Sequence, residues 1–223
     1  MNNTESNSRC WHILMIIFAL IAMGLGCERK QVNPVSGKKS IVKTSPKPSK
    51  EPLDLRKYLA SGQDALKRRE QIEDFRRRFS KGFKQEFPNV TSPRFIDADA
   101  VLLPDTADVL GISTNGVSRA YLVVGMWEMH HHVLHDNIAG QPITITYCDI
   151  NDCAYAYQSQ GILPKDFKVG GWDGQDLLLL IQGKYYAHPK APLPAYPIKR
   201  TTWGRWKTQH PNTKIYLGFF SEK

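Results

Sequence analysis

The chain has 223 residues, 41% of them apolar and 23% charged, enough for one domain with a sizeable core and too hydrophobic for wholesale disorder. Four cysteines are too few for a disulfide framework at this length. The formal net charge of +9 points towards nucleic acid only until it is located. Residues 28–50 carry seven Lys or Arg against Glu28, residues 51–88 carry ten against seven acids, and residues 89–223 carry twelve of each sign. The basic excess therefore sits in the N-terminal part, and a nucleic-acid partner is not expected of the neutral remainder.

In chain order, Trp11 to Gly26 is an apolar run with His12 its only polar member. At about 1.5 Å per residue it spans roughly 24 Å, short of a bilayer's hydrocarbon core of about 30 Å. Arg9 precedes it, and Gly24-Leu25-Gly26-Cys27 ends it. The layout of residues 1–27 is that of an export signal. Cys27 resembles the lipid-attachment cysteine of bacterial lipoproteins; a retained signal anchor and plain secretion are the other outcomes. Arg29, Lys30, Lys38 and Lys39 follow the run, a distribution that would keep an uncleaved segment's basic side cytoplasmic. Export is the favoured reading, with the chain anchored in the bacterial cell envelope. Residues 28–52, with Pro34, Pro46, Pro48 and Pro52 among Lys, Ser and Thr, read as a tether.

Residues 53–88 form a basic helical segment. Ile72, Phe75, Phe79 and Phe83 recur at helical spacing, predicting a helix over 63–86 that lies on a membrane or, the preferred reading, packs on the next domain. Phe87-Pro88 ends it.

Residues 89–223 change to period two. Strands are expected at 108–113 and 117–123 around Asn115-Gly116, at 143–148 with a return at 154–157, and at 176–181 and 184–187 around Gln182-Gly183. A short helix capped by Thr201 or Thr202 carries Trp203 and Trp206, and a strand closes at 215–220. Gly170 to Gly174 reads as a tight turn. The fold class is α+β, mainly antiparallel β with a few short helices.

Chemistry is expected at two places. In Cys148-Asp149-Ile150-Asn151-Asp152-Cys153 the two cysteines face each other at the neck of a four-residue loop. A redox pair, a static disulfide and unpaired thiols are all open. Cys148 would attack and Cys153 resolve, although Asp149 and Asp152 would make the thiols less acidic. The second place is Glu128-Met129-His130-His131-His132-Val133-Leu134-His135. On a helix His131 and His135 share a face, which suits a divalent transition metal or a base for the cysteines; on a strand His130 and His132 point together. Hydrogen-bonded or surface histidines are the plain alternative. Phosphate-loop, dinucleotide and Gly-x-Ser-x-Gly signatures are missing from the sequence.

The succession Arg119-Ala120-Tyr121, a His-rich stretch ending Asp136-Asn137-Ile138-Ala139-Gly140, then Thr146-Tyr147-Cys148, and finally Trp203-Gly204-Arg205-Trp206 with His210-Pro211 resembles the bacterial domain-of-unknown-function family numbered 3179. The resemblance runs over about residues 93–218. Some members of that family carry a selenoprotein label, which implies a reactive thiol or selenol near Thr-Tyr-Cys. The family's usual second cysteine, three residues after the first, corresponds here to Asn151. The expectation is an envelope-tethered domain with a redox site at Cys148/Cys153, as an enzyme a thiol-dependent oxidoreductase. The competing class is a non-catalytic binding module built on the histidine segment, with an unidentified protein or small-molecule partner.

Overall fold

The computed structural model describes residues 51–60 and 63–222. The expected export segment, Cys27 and the tether up to residue 50 lie outside the described residues. Among the described residues, no helix is long and apolar enough to cross a membrane.

In chain order the elements are β1 (Leu53–Asp54), α1 (Arg56–Ala60), α2 (Gln63–Arg78), β2 (Phe83–Lys84), β3 (Phe95–Asp97), β4 (Val101–Leu102), β5 (Asp108–Thr114) and β6 (Val117–Leu122). There follow β7 (Val133–Ile138), β8 (Gln141–Cys148), β9 (Cys153–Gln158), β10 (Phe167–Trp172), β11 (Leu177–Ile181), β12 (Lys184–Ala187), β13 (Lys199–Thr202), α3 (Trp203–Gln209) and β14 (Lys214–Tyr216). The expected α+β class, dominated by antiparallel sheet, is what the chain forms. Three sheets carry the core, ordered β13-β5-β6-β14-β3, β7-β8-β9 and β12-β11-β10-β2.

The three hairpin turns at Asn115-Gly116, Ala139-Gly140 and Gln182-Gly183 all have positive φ at both turn residues, which matches the twist of the strands they join. Ala139 is the costly member, because it lacks the short polar side chain that eases that conformation.

Three apolar clusters show how the sheets stack. Trp203, Trp206, Val109 and Leu122 pack on one side of the five-stranded sheet. Leu110, Ile112 and Tyr121 from its other side meet Leu134, Ile143, Ile145 and Tyr147 of the three-stranded sheet. Val133, Cys148 and Tyr157 meet Phe167, Val169, Leu177 and Leu179 of the four-stranded sheet. The β7-β8-β9 sheet is thus covered on both faces. Its polar members Thr144 and Thr146 are fully buried rather than solvated, so they must find partners inside.

Two expectations are corrected. The helix over 63–86 stops at Arg78: Gly82 takes φ +72°, and a side chain there would lie 2.7 Å from the Trp172 carbonyl oxygen. The chain reverses at that close approach, and Phe83 and Lys84 pair with Trp172 and Gly171 as an edge strand. The aromatic stripe survives the break, since Phe83 still meets Phe79 at 5.0 Å and Phe75 at 6.3 Å between ring centroids. The glycine-rich stretch is likewise only partly a turn. Gly170 and Gly171 are inside β10, where a bulge gives Gly171 φ +121°. A Cβ on Gly171 would meet the Phe83 carbonyl oxygen at 2.3 Å, so its bareness is what admits β2 to the sheet. The closing strand is also shorter than expected, β14 giving way to a 3₁₀ turn at Gly218–Glu222.

Candidate active site

Cys148 ends β8 and Cys153 begins β9, and the two are register partners. The loop between them closes on Asp152 at φ +49°. Both cysteines are free thiols, Cys148 buried and Cys153 half-buried. The Cys153 thiol donates a hydrogen bond to Cys148 Sγ, and this is the main cause holding the Cys148 thiol below its ordinary pKa. The backbone N–H groups of Asn151, Ile150 and Leu177 add to it, against burial, which acts the other way. Cys153 is pushed up, first by that same hydrogen bond and then by desolvation. Of the two thiols Cys148 is therefore the one that ionises first, while Cys153 keeps its proton.

The expected acid-weakening effect of the loop aspartates appears on Cys153, where Asp152 is among the smaller causes of the raised pKa, and not among the main causes acting on Cys148. Asp149 turns away to the Arg68 guanidinium, and its Oδ1 lies 3.3 Å from His132 Nε2. Asp152 accepts from Tyr147 Oη at 2.9 Å and pairs with Arg200 at 2.8 Å. What remains near Cys148 is a concavity of backbone N–H groups, which favours an anion.

The imidazole at the cysteines is His188, which the sequence reading passed over. Its Nδ1 lies 3.5 Å from Cys153 Sγ and its Nε2 lies 2.6 Å from Thr146 Oγ1. The Thr146 hydroxyl donates to the Tyr155 carbonyl, so it accepts from His188 Nε2–H. That fixes the tautomer: the Nδ1 lone pair faces Cys153 and competes with Cys148 Sγ for its single S–H proton. Burial lowers the His188 pKa to about 3, so the ring is neutral at physiological pH. The only advance signal was Ala187-His188-Pro189 at the end of a predicted strand, which is weak.

His131 and His135 are not brought together. Residues 127–136 form neither the helix nor a continuous strand. A 3₁₀ turn at Met129–His131 carries His131, and β7 carries His135. His131 Nδ1 meets the Tyr216 hydroxyl at 2.6 Å. His135 is spent on the protein: Nδ1 on Thr144 Oγ1 at 2.9 Å, Nε2 on the Phe167 carbonyl at 3.0 Å, with Asn89 alongside. Neither is a partner of the cysteine pair in the hydrogen bonds of this site.

Helix α2 holds the loop from outside. Besides the Arg68–Asp149 pair, Arg68 donates to the Trp127 carbonyl and Arg76 to the Ile150 carbonyl at 2.8 Å. A cleft of about 630 Å³ lies between them, lined by Arg68, Ile72, Trp127, Tyr147, Ile150 and Arg200 among others.

The buried neutral His188 has a measurable consequence. Its folded pKa lies below the unfolded value, so the unfolded chain alone gains a proton as pH falls through 6.5. Stability is then lost towards pH 3 at about 1.4 kcal/mol per pH unit. Urea unfolding at pH 6.5 and pH 5 is expected to show about 2 kcal/mol of loss from this group. His188→Gln should remove that part of the slope, whatever it does to stability at neutral pH; an unchanged slope would place the ring in contact with water.

The described residues therefore form a mainly antiparallel α+β domain carrying a cysteine–cysteine–histidine group between two sheets, with Cys148 and His188 buried and Cys153 half-buried. Residues 84–188, which include all three of those residues, match the family described as "Protein of unknown function (DUF3179)", and the resemblance read from the motifs is borne out there. No curated protein and no solved structure matches this chain.

Proposed function

We propose that Cys148 and Cys153 form a thiol–disulfide redox centre, and that the domain is a thiol-dependent oxidoreductase tethered to the bacterial cell envelope through its N-terminal segment. The observation that carries this reading is the facing pair of free thiols whose acidities are shifted in opposite directions, Cys148 down and Cys153 up. A static staple has no use for that asymmetry. The tether and the envelope rest on the sequence of residues 1–52.

The burial of the two sulfurs assigns their work. Cys148 is 0% exposed, so its oxidant is small, of the peroxide class. The Cys148 thiolate attacks one peroxide oxygen, the O–O bond breaks, and the departing alkoxide or hydroxide takes the Cys153 proton. Cys148 is then a sulfenic acid. Cys153, now a thiolate beside His188, attacks Cys148 Sγ; the S–O bond breaks, hydroxide leaves, and the disulfide forms. In the return direction a reducing thiolate attacks the accessible sulfur, Cys153, and expels Cys148. The lower pKa of Cys148 makes it the better leaving group. A second thiolate of the reductant then releases Cys153 and becomes disulfide itself.

The test is peptide mass spectrometry on the full chain before and after hydrogen peroxide, and again after a dithiol reductant. A bridge between Cys148 and Cys153 that forms with peroxide and yields to the dithiol supports the centre. Thiols inert to peroxide, or a bridge that resists the dithiol, would refute it.

A further inference from the structure

The histidine segment places a second group of ligating atoms together, apart from the cysteines. Glu128, His130 and His131 lie on and just before one 3₁₀ turn, and one ligand atom from each falls within 4.8 Å of the other two. His130 Nδ1 is 3.7 Å from Glu128 Oε2, and the two imidazole rings are 3.9 Å apart between centroids. We infer that Glu128, His130 and His131 bind one divalent transition-metal ion at the protein surface.

The chemistry of the three donors selects the ion. Two imidazoles and one carboxylate suit Co(II), Ni(II) or Zn(II), whereas Ca(II) and Mg(II) prefer sites made of oxygen. Donor atoms about 2.0–2.2 Å from a shared ion lie roughly 3–3.5 Å apart, so the group needs to contract by up to about 1.5 Å at its widest. The two side chains that must move are the ones able to. Glu128 is 55% exposed and His130 37% exposed, while His131 is buried and fixed.

The fixing contact is itself of the kind metal sites use. A ligating histidine donates its other ring N–H to an oxygen partner, which sets the tautomer and the ring direction. Tyr216 supplies that oxygen to His131 Nδ1 at 2.6 Å, so His131 would coordinate through Nε2. The turn also explains why this set forms and His131 with His135 does not. The 3₁₀ turn, closed by the His131 N–H to Glu128 carbonyl hydrogen bond, brings Glu128 and His131, three apart, onto one side with His130 next to them, and β7 then carries His135 into the interior. Glu128 and His130 border a cleft of about 510 Å³, which leaves room for water on the remaining positions of the ion.

The experiment is a titration of the chelator-treated full chain with Co(II) and Ni(II), followed by absorption and calorimetry. One equivalent should bind, Ni(II) more tightly than Co(II). The Co(II) spectrum should show ligand-field bands without an intense sulfur-to-metal charge-transfer band. Glu128→Gln and His130→Ala change exposed side chains, so the fold should persist, and each should weaken binding at least ~10-fold. Absence of binding would overturn the site, as would one equivalent that both variants leave unchanged. A thiolate charge-transfer band at the first equivalent would overturn it too, because the ion would then sit on cysteine. The result is independent of the peroxide test, which reads only the cysteines.

Discussion

Cys148→Ser and Cys153→Ser should each abolish the intramolecular bridge, yet fail differently with peroxide. Cys153→Ser retains the N–H groups of Ile150, Asn151 and Leu177 around Cys148. Its Cys148 has a serine hydroxyl as donor in place of the thiol and can still be oxidised, and with no resolving thiol the reaction stops at the sulfenic acid or goes on to the sulfinic acid. Cys148→Ser leaves Cys153, whose raised pKa loses the contribution of the Cys148 sulfur but keeps that of desolvation, and peroxide oxidation should fall by ~10-fold or more. That figure follows from a thiol whose pKa lies about one unit or more above ambient pH being ~10% or less ionised. Both readings come from dimedone trapping and peptide mass. Equal reactivity of the two single variants would contradict the division of labour, and retained circular dichroism keeps the comparison about chemistry rather than folding.

Arg68→Ala is expected to cost about 3 kcal/mol in chemical denaturation, towards the lower end of the penalty for stripping one partner from a buried ion pair. The lower end applies because the Arg68 side chain is 25% exposed, while Asp149 is only 2% exposed and is left without its cation by the substitution. Adding Asp149→Asn should recover a large part of the loss, since the orphaned charge is then gone. A cost below about 1 kcal/mol for Arg68→Ala would mean that Asp149 is solvated after all. The same variant should speed alkylation of Cys148, because Arg68 and Arg76 are the contacts through which α2 pins the loop over that sulfur. Helix α2 lies ahead of the matched family segment, which begins at residue 84. The restraint on the loop is thus supplied from outside the part of the chain that matches the family.

The contact between α2 and the loop also decides between the two surfaces offered to the helix. Ile72 and Phe75 pack with the cluster around Trp172, and Phe75 meets that indole edge-on at 5.6 Å. Its apolar residues Ile72 and Phe75 are occupied by the domain, as preferred from the sequence, and Arg77 and Arg78 in its last turn pair with Asp74.

What the sequence by itself determined is local. Asn115-Gly116 and Gln182-Gly183 fixed two hairpins because few residue pairs tolerate positive φ twice in succession. Period-two alternation located β8, and the loop length put Cys148 opposite Cys153. The motif order located the family. Tertiary structure decided everything that depends on which sheet covers which. Ile143, Ile145 and Tyr147 against Thr144, Thr146 and Cys148 reads as a strand with one wet face, but the four-stranded sheet closes over the polar side. That closure leaves the threonines needing partners inside, and it brings His188 onto Thr146 and Cys153 from 42 and 35 positions away. Arg68 reaches Asp149 in the same manner, across a fold that no local spacing records. Backbone preferences act over a few residues, whereas the acidity of a buried thiol is set by whatever the stacked layers place beside it.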